Sequence, residues 1–242
     1  MDNFQISVIV ATYNDAIGLE KSLNSVAGQT HAEYVELIII DGGSSDETLD
    51  VINRHANIIS KWVSEPDNGV ADAYNKGVRE ASGKWVYFLN AGDIFYKSSS
   101  LEEIIPKLPD SYDVCSCVVM ALDGKRFEGR FSWRLLAKNV VHHQGLVYKL
   151  EYLRRYPYND QYKRYGHDHE HNMFIWKRRD PVYYLDLVIA VWSYGGISDR
   201  ANWQDYKQEF LIRKNTLGIF AIPLNIFTVL RFFLKSLKRR FG

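Results

Sequence analysis

Asp93 has the setting most suggestive of chemistry. It follows an almost unbroken apolar run, Trp85-Val86-Tyr87-Phe88-Leu89, and a short turn, Asn90-Ala91-Gly92. Such a run suits a strand buried on both faces. In open α/β sheets, ligands bind at the carboxyl ends of the strands. A carboxylate there, beside small residues that let a ligand come close, points to a divalent cation holding a diphosphate. Mg2+ or Mn2+ is the ion expected; Mg2+ often sits on only one or two carboxylates and keeps several waters. The plainer role for Asp93 is that of a turn or helix-cap residue.

The elements that position Asp93 can be read in order. Residues 6–11 form a first apolar strand, followed by the turn Thr12-Tyr13-Asn14-Asp15. Asn14 or Asp15 can cap the next helix by accepting from free backbone N–H groups. Ala16, Leu19, Leu23 and Val26 give that helix one apolar face. Residues 35–40 read as the second strand, ending on Asp41-Gly42-Gly43. Ser44 and Glu47 have the spacing of a capping box, before a helix running to about Arg54. A third strand is expected at 58–63, a loop at 64–69 and a helix at 70–81. This alternation predicts an α/β fold, a Rossmann-like mostly parallel sheet flanked by helices.

Beyond Asp93 the pattern loosens. A short helix is expected at 101–108, and strands at 113–122 and 125–131 joined by Asp123-Gly124, a good hairpin turn. An apolar run at 146–148, a helix starting near His167 or Asp168, a strand at 182–190 and a loop at Gly195-Gly196-Ile197-Ser198 follow. Residues 133–139 carry no clear pattern. The organisation expected is a domain over 1–204, divided at residue 93, and a helical basic tail over 205–242.

Thirty basic residues against 29 acidic ones give a net charge of +1, which offers no argument for nucleic-acid binding. Cys115 and Cys117 are the only cysteines. Two residues apart on a strand, they make no disulfide framework, so a reduced, cytoplasmic setting is expected. The N-terminus lacks the basic start of a signal peptide. No uninterrupted apolar stretch of about 18 residues suggests a simple spanning helix. The tail is apolar over 219–234, broken by Pro223, Asn225, Thr228 and Arg231, and followed by Lys235, Lys238, Arg239 and Arg240. Such a segment can lie on an anionic membrane surface, peripheral to the inner membrane. The alternative is a helix docked on the domain or on a partner subunit.

Taken together, these motifs resemble the family 2 glycosyltransferases with the GT-A fold. Ser7-Val8-Ile9-Val10-Ala11-Thr12-Tyr13-Asn14 is similar to the family's opening strand, and Ile40-Asp41-Gly42-Gly43-Ser44-Ser45-Asp46-Glu47-Thr48 to its second-strand signature. Glu65-Pro66-Asp67-Asn68-Gly69, Asp72-Ala73 and Asn75-Lys76-Gly77 resemble members that build bacterial surface polysaccharides. Phe88-Leu89-Asn90-Ala91-Gly92-Asp93 looks like the acidic metal motif; His143-Gln144, Asp168 and Gly195-Gly196-Ile197-Ser198 fit later landmarks.

The resemblance implies roles. Asp41 would contact the uracil of a UDP-sugar, flanked by Thr12, Tyr13 and Asn14, with the Tyr13 ring available to stack. Asp72 and Lys76 would contact the nucleotide from their helix; the alternative is a surface ion pair. Asn90 would sit on the nucleotide-sugar side, and Asp93 would hold the metal. The implied reaction is an inverting transfer of one sugar to a hydroxyl of a glycan or lipid-linked acceptor. Such a transfer needs a carboxylate to take the acceptor proton. Asp168 is the candidate by family position, with Glu170 behind it; His143 and Glu170 fall on the acceptor side.

The chain departs from the family pattern in three places. Asn90 replaces the first acid of the usual Asp-x-Asp, and His167-Asp168 stands where Glu-Asp is common. Trp176-Lys177-Arg178-Arg179 stands in place of the Gln-x-x-Arg-Trp of processive relatives, favouring addition of a single sugar. The first two departures motivate the competing reading, a non-catalytic nucleotide-sugar-binding module. A zinc site from His167, His169 and His171 matches no common ligand spacing. Residues 77–85 imitate a phosphate loop but have one residue too many between the glycines, and Trp85 replaces the required Ser or Thr. The first strand turn lacks the glycines of a dinucleotide site.

Overall fold

The computed structural model describes residues 4–162, 166–192 and 202–241. The first half alternates strand and helix: β1 (Ile6–Thr12), α1 (Ala16–Ala27), β2 (Val35–Asp41), α2 (Thr48–Arg54), β3 (Lys61–Ser64), α3 (Val70–Glu80) and β4 (Trp85–Phe88). The second half holds β5 (Ile94–Phe95), α4 (Ser100–Ile104), β6 (Val114–Ala121), β7 (Arg126–Glu128), β8 (Leu146–Lys149), α5 (Leu150–Arg155), α6 (His167–Arg178) and β9 (Val182–Trp192). The antiparallel pair α7 (Trp203–Leu217) and α8 (Ile222–Phe241) follows.

All but β7 lie in one path ordered β3-β2-β1-β4-β8-β6-β9-β5, with β7 paired to β6. β3, β2, β1 and β4 are mutually parallel; β8 is antiparallel to β4, and β6 to β8. Every residue of β1 and β2 is buried, as a central parallel strand with helices on both faces requires. Alternate residues feed two cores. Val8 and Val10 pack with Leu19, Leu23 and Val51 on one face. Ile9 and Ala11 pack with Tyr74, Val78, Met173 and Ile212 on the other.

The expected α/β sheet is therefore present, with its parallel half in the first 93 residues. Some local expectations shift. Glu47, not Ser44, occupies the N-cap position of α2 and makes no side-chain cap bond. Ser44 instead donates to Asp41, and Asp46 accepts from the Thr48 N–H at 3.1 Å. β3 begins at Lys61 rather than residue 58, because residues 55–58 extend the end of α2 as a turn. The short α5 and β5 carry too little periodicity to be expected from sequence. The Asp123-Gly124 hairpin and the helix start at His167 stand as anticipated. The Gly195–Ser198 landmark lies outside the described residues.

Candidate active site

Parallel register builds the site edge. Thr12 pairs with Asp41, and Asp41 with Ser64, so three strand ends stand side by side. The β1–β4 ladder continues past Phe88: Leu89 N–H donates to Ile9 O at 3.0 Å and Ala91 N–H to Ala11 O at 3.1 Å. This brings Asn90 and Asp93 to the same edge.

Asp41 is fully buried. Its carboxylate accepts from the Ser64 hydroxyl at 2.6 Å, from the Ser44 N–H at 3.1 Å and from the Ser44 hydroxyl. Asn14 ties the first turn to the second: its N–H donates to Ser44 Oγ at 2.7 Å and its Oδ1 accepts from the Ser45 N–H at 2.8 Å. Asp15, rather than Asn14, caps α1 through the Gly18 N–H at 3.0 Å. Thr12 is buried, whereas the Tyr13 side chain is 65% exposed and free to meet a planar ligand. It lies against Gly42, where a Cβ would fall 3.3 Å from Tyr13 Cδ2 and 2.7 Å from Asp67 Oδ2. Only glycine lets the three loops approach this closely.

Asp72 and Lys76 brace the third loop. Asp72 accepts from the Asn68 N–H at 3.0 Å. Lys76 donates to Pro66 O at 2.9 Å and pairs with Glu65 at 2.8 Å, leaving Asp72 at 3.8 Å. The i,i+4 ion pair weighed from sequence is thus the looser of the two contacts.

The turn carrying Asp93 is tied down from α1. Ser22 Oγ donates to Asn90 O at 3.1 Å and to Asp93 O at 2.7 Å, and Gly92 N–H donates to Gly18 O at 2.9 Å. Burial pushes the Asp93 carboxyl up to about 6, against hydrogen bonds from Gln144 and the Asn90 backbone and the nearby Lys21. Asn90 is a bridge: its Oδ1 accepts from the Tyr74 hydroxyl at 2.8 Å, and its Nδ2 donates to His143 Nε2 at 3.0 Å. Burial holds the His143 imidazole down to about 4, with Asp168 working the other way. The ring is therefore neutral at pH 7 and accepts at Nε2. That nitrogen is also 3.9 Å from Asp93 Oδ2.

These residues fit a divalent cation with a sparse protein donor set. Asp93 is a mostly buried carboxylate whose burial disfavours its charge until a cation compensates. Gln144, which donates to it, has a buried Oε1 with no hydrogen-bond partner among the described residues. Asn90 is turned to Tyr74 and His143, so Asp93 is the acid left to take a metal. One carboxylate supplemented by diphosphate oxygens and water is an ordinary arrangement for Mg2+.

Across the site, α6 begins with Asp168 in its first turn. One oxygen accepts from Asn139 Nδ2 and the other from the His169 N–H, each at 2.8 Å. Burial raises this carboxyl, but His167, His143, His169 and the His169 N–H outweigh it and hold it below the ordinary range. Asp168 is accordingly ionised at neutral pH and can accept a proton. Glu170 turns to other partners. It is near Asn159 and Tyr162, and burial raises its carboxyl. Two residues apart on a helix point in different directions, so Asp168 and His143 come together and Glu170 stands aside.

Three side chains that matter here were not picked out from sequence. Tyr74 stacks on Phe88 at 4.1 Å and anchors Asn90. Gln144 had a motif to mark it but no assigned role. Asn139 fell in a stretch without periodicity, yet it holds both Asp168 and, at 3.1 Å, Asn172. His167 and His171 sit in an aromatic cluster, with His171 stacked on Tyr158 at 4.4 Å.

The model of glycosyl transferase family 2 matches residues 7–205. The chain belongs to this family. A PGL/p-HBAD biosynthesis glycosyltransferase of Mycobacterium bovis is 34% identical over 203 residues, 80% of this chain and 78% of that protein. An uncharacterised glycosyltransferase of Nostoc is 38% identical over 104 residues, 42% of this chain and 32% of its own. Among solved structures, S. aureus TarS 1-349 in complex with UDP-GlcNAc superposes with a TM-score of 0.68 at 18% identity, covering 86% of this chain and 65% of that one. The chain spans 39% of the longer TarS structure. The mannosyltransferase PcManGT of Pyrobaculum calidifontis, solved with GDP-Man and Mn2+, gives 0.64 at 18% identity, over 95% of this chain and 75% of that one. These two share the fold. The family 2 glycosyltransferase thus has the GT-A fold.

Proposed function

We propose that this glycosyltransferase moves one sugar from a UDP-sugar to a hydroxyl of a glycan or lipid-linked acceptor, with inversion and with Mg2+ or Mn2+. The reading places its work in bacterial surface-polysaccharide synthesis, at the cytoplasmic face of the membrane. The observation that carries it is that His143 neighbours two carboxylates: its Nε2 is 3.9 Å from Asp93, in the turn after β4, and it interacts electrostatically with Asp168 at the head of α6. Asp93 would hold the cation, which offsets charge on the departing diphosphate. Asp41, Thr12, Tyr13 and Asn14 form the nucleotide wall, with Asp72 and Lys76 bracing the loop beside it. Asn90 keeps neutral His143 in place next to Asp93.

The ionised Asp168 takes the acceptor hydroxyl's proton as that oxygen attacks the anomeric carbon and the diphosphate leaves. The displacement passes through an oxocarbenium-like transition state, by analogy with glycoside hydrolysis. Asn139 and the His169 N–H hold both carboxylate oxygens, which favours one orientation throughout. The non-catalytic alternative loses support here, because both departures have structural work: Asn90 positions His143, and His167 packs on Tyr74.

A donor screen with a metal series, read by UDP release with an acceptor panel, tests this reading. Activity with a UDP-sugar and a divalent ion, sharply reduced in both Asp93→Ala and Asp168→Asn, is the expected result. UDP binding without transfer to any acceptor by the parent chain returns the protein to the binding-module reading.

A further inference from the structure

The helical pair α7–α8 has one polar side and one apolar side. On the polar side Arg213 is fully buried. Its guanidinium donates to Leu136 O at 2.6 Å, Ala137 O at 2.5 Å, Thr228 Oγ1 at 2.7 Å and Glu209 Oε2 at 2.8 Å. Arg231 pairs with the second oxygen of Glu209. Thr228 and Arg231 therefore mark the face that α8 turns to the domain. The other face is bare: Ile219, Phe220, Ile222, Ile226, Leu230 and Phe233 are 58–76% exposed. Their spacing of mostly three and four gathers them on one side. An apolar patch of this kind marks an interaction site.

Basic groups border it. Lys207 and Lys214 are exposed on α7 and line an open groove with Leu211, Ala221 and Ile222. Neither ammonium forms an ion pair among the described residues. The sequence of α8 then continues through Lys235, Lys238, Arg239 and Arg240. We propose that this face docks on an anionic lipid bilayer, with α8 lying in the plane of the interface. The stretch Trp203–Leu234 is long and apolar enough by composition to cross a membrane. Crossing would either tear Thr228 and Arg231 from Glu209 and Arg213 or carry the whole charged network into hydrocarbon, where charge is costly. Docking in the plane keeps the network intact and matches apolar side chains to acyl chains and lysines to headgroup phosphates. A second copy would set basic borders against each other; an anionic bilayer does not.

The pair also touches the acceptor half. Residues 135–139 are gripped from α6, through His169 Nε2 to Leu135 O at 2.6 Å and Asp168 to Asn139, and from α7 through Arg213. Gly166, which precedes α6, packs so tightly on α7 that a Cβ would lie 2.9 Å from Ile212 Cδ1. The lipid-facing hairpin and Asp168 thus belong to one packed unit. If Asp168 serves the acceptor, as proposed above, that unit links the bilayer to the acceptor side.

Vesicle flotation of the full chain tests the docking. Binding to phosphatidylglycerol-containing vesicles is expected, weakened by raised salt and much lower on pure phosphatidylcholine. Phe220→Ser, Ile226→Ser and Leu230→Ser together should reduce partition at least tenfold without changing the melting temperature or donor affinity. Lys207→Gln with Lys214→Gln should reduce it on the order of tenfold on anionic vesicles only. No partition of the parent, or partition that the apolar triple variant leaves unchanged, overturns the proposal. So does a parent dimer that the triple variant dissolves in the absence of vesicle binding. UDP release measured without vesicles reports separately on the glycosyltransfer reading.

Discussion

Asp41 and Asp168 are both carboxylates removed from bulk water, but they are held by different means. Asp41 ends a strand and receives Ser44, three residues on, and Ser64, its register partner on the next strand. Every contact comes from the first 93 residues and follows from parallel pairing and tight turns. Asp168 depends on Asn139, on histidines from two segments, and on a stretch clamped from behind by Arg213 of α7. The Asp41 edge is thus organised locally, and the Asp168 side by packing between distant segments.

The sharpest test of this contrast uses the two carboxylates themselves. Asp168→Asn should lower turnover by about 10²–10⁴-fold and leave donor affinity nearly untouched. Asp41→Asn should weaken donor binding by roughly tenfold, the scale of a buried hydrogen bond to a charged group, and spare the chemical step. Single-turnover UDP release and calorimetry separate the two, and equal losses of donor affinity would break the comparison.

Next in size is Arg213→Leu. Breaking a buried ion pair costs about 3–5 kcal/mol, measurable by urea denaturation. Transfer activity should fail at lower urea than UDP binding does. Simultaneous loss would show the two halves to be one cooperative unit.

Acid should act on the same side of the molecule. Burial holds His143 and His171 down to about 4, and lowers His167 and His169 as well. Unfolded histidine titrates near 6.5, so below that pH the unfolded chain takes up protons that the native chain refuses. Stability should fall as pH drops from about 6.5 to 4, by about 1.4 kcal/mol per pH unit for each of His143 and His171, with His167 and His169 adding in the same direction. Asp93, pushed up to about 6, binds its proton earlier in the native state and offsets part of this fall. Urea midpoints across this range check it; a flat profile would contradict the burial of the cluster.

The smallest effect concerns Tyr74→Phe, which removes one hydrogen bond to Asn90, worth about 1 kcal/mol. A several-fold fall in kcat/KM with unchanged donor affinity is expected, because His143 loses its brace while the nucleotide wall keeps its contacts. An unchanged kcat/KM would remove Asn90 and Tyr74 from the positioning of the site.

Much of the parallel half was legible beforehand. Residues 6–11, 35–40 and 85–89 are apolar runs that end in short polar turns, and strand burial and turn chemistry are both local properties. Asp41 and Asp93 could therefore be placed at one edge without coordinates. The second half was less legible. Asn139 sits in a stretch with no period, α5 is too short to show one, and β8 runs against the pattern set by β1–β4. The Ser44-x-x-Glu47 spacing misled because Ser44 Oγ accepts from the Asn14 N–H and its hydroxyl donates to Asp41, contacts set by the loop's fold and not by its composition.

The sequence by itself determined that acidic residues stand at the ends of parallel strands, because apolar runs and turn residues act over a few neighbours. It also supplied an apolar, basic tail. Only the tertiary structure decided that Asn90 serves His143, that Asp168 and not Glu170 neighbours His143, and which side of α8 is left bare. Those outcomes depend on where distant polar groups find partners once they are buried, and a buried group takes the partner that packing brings within reach.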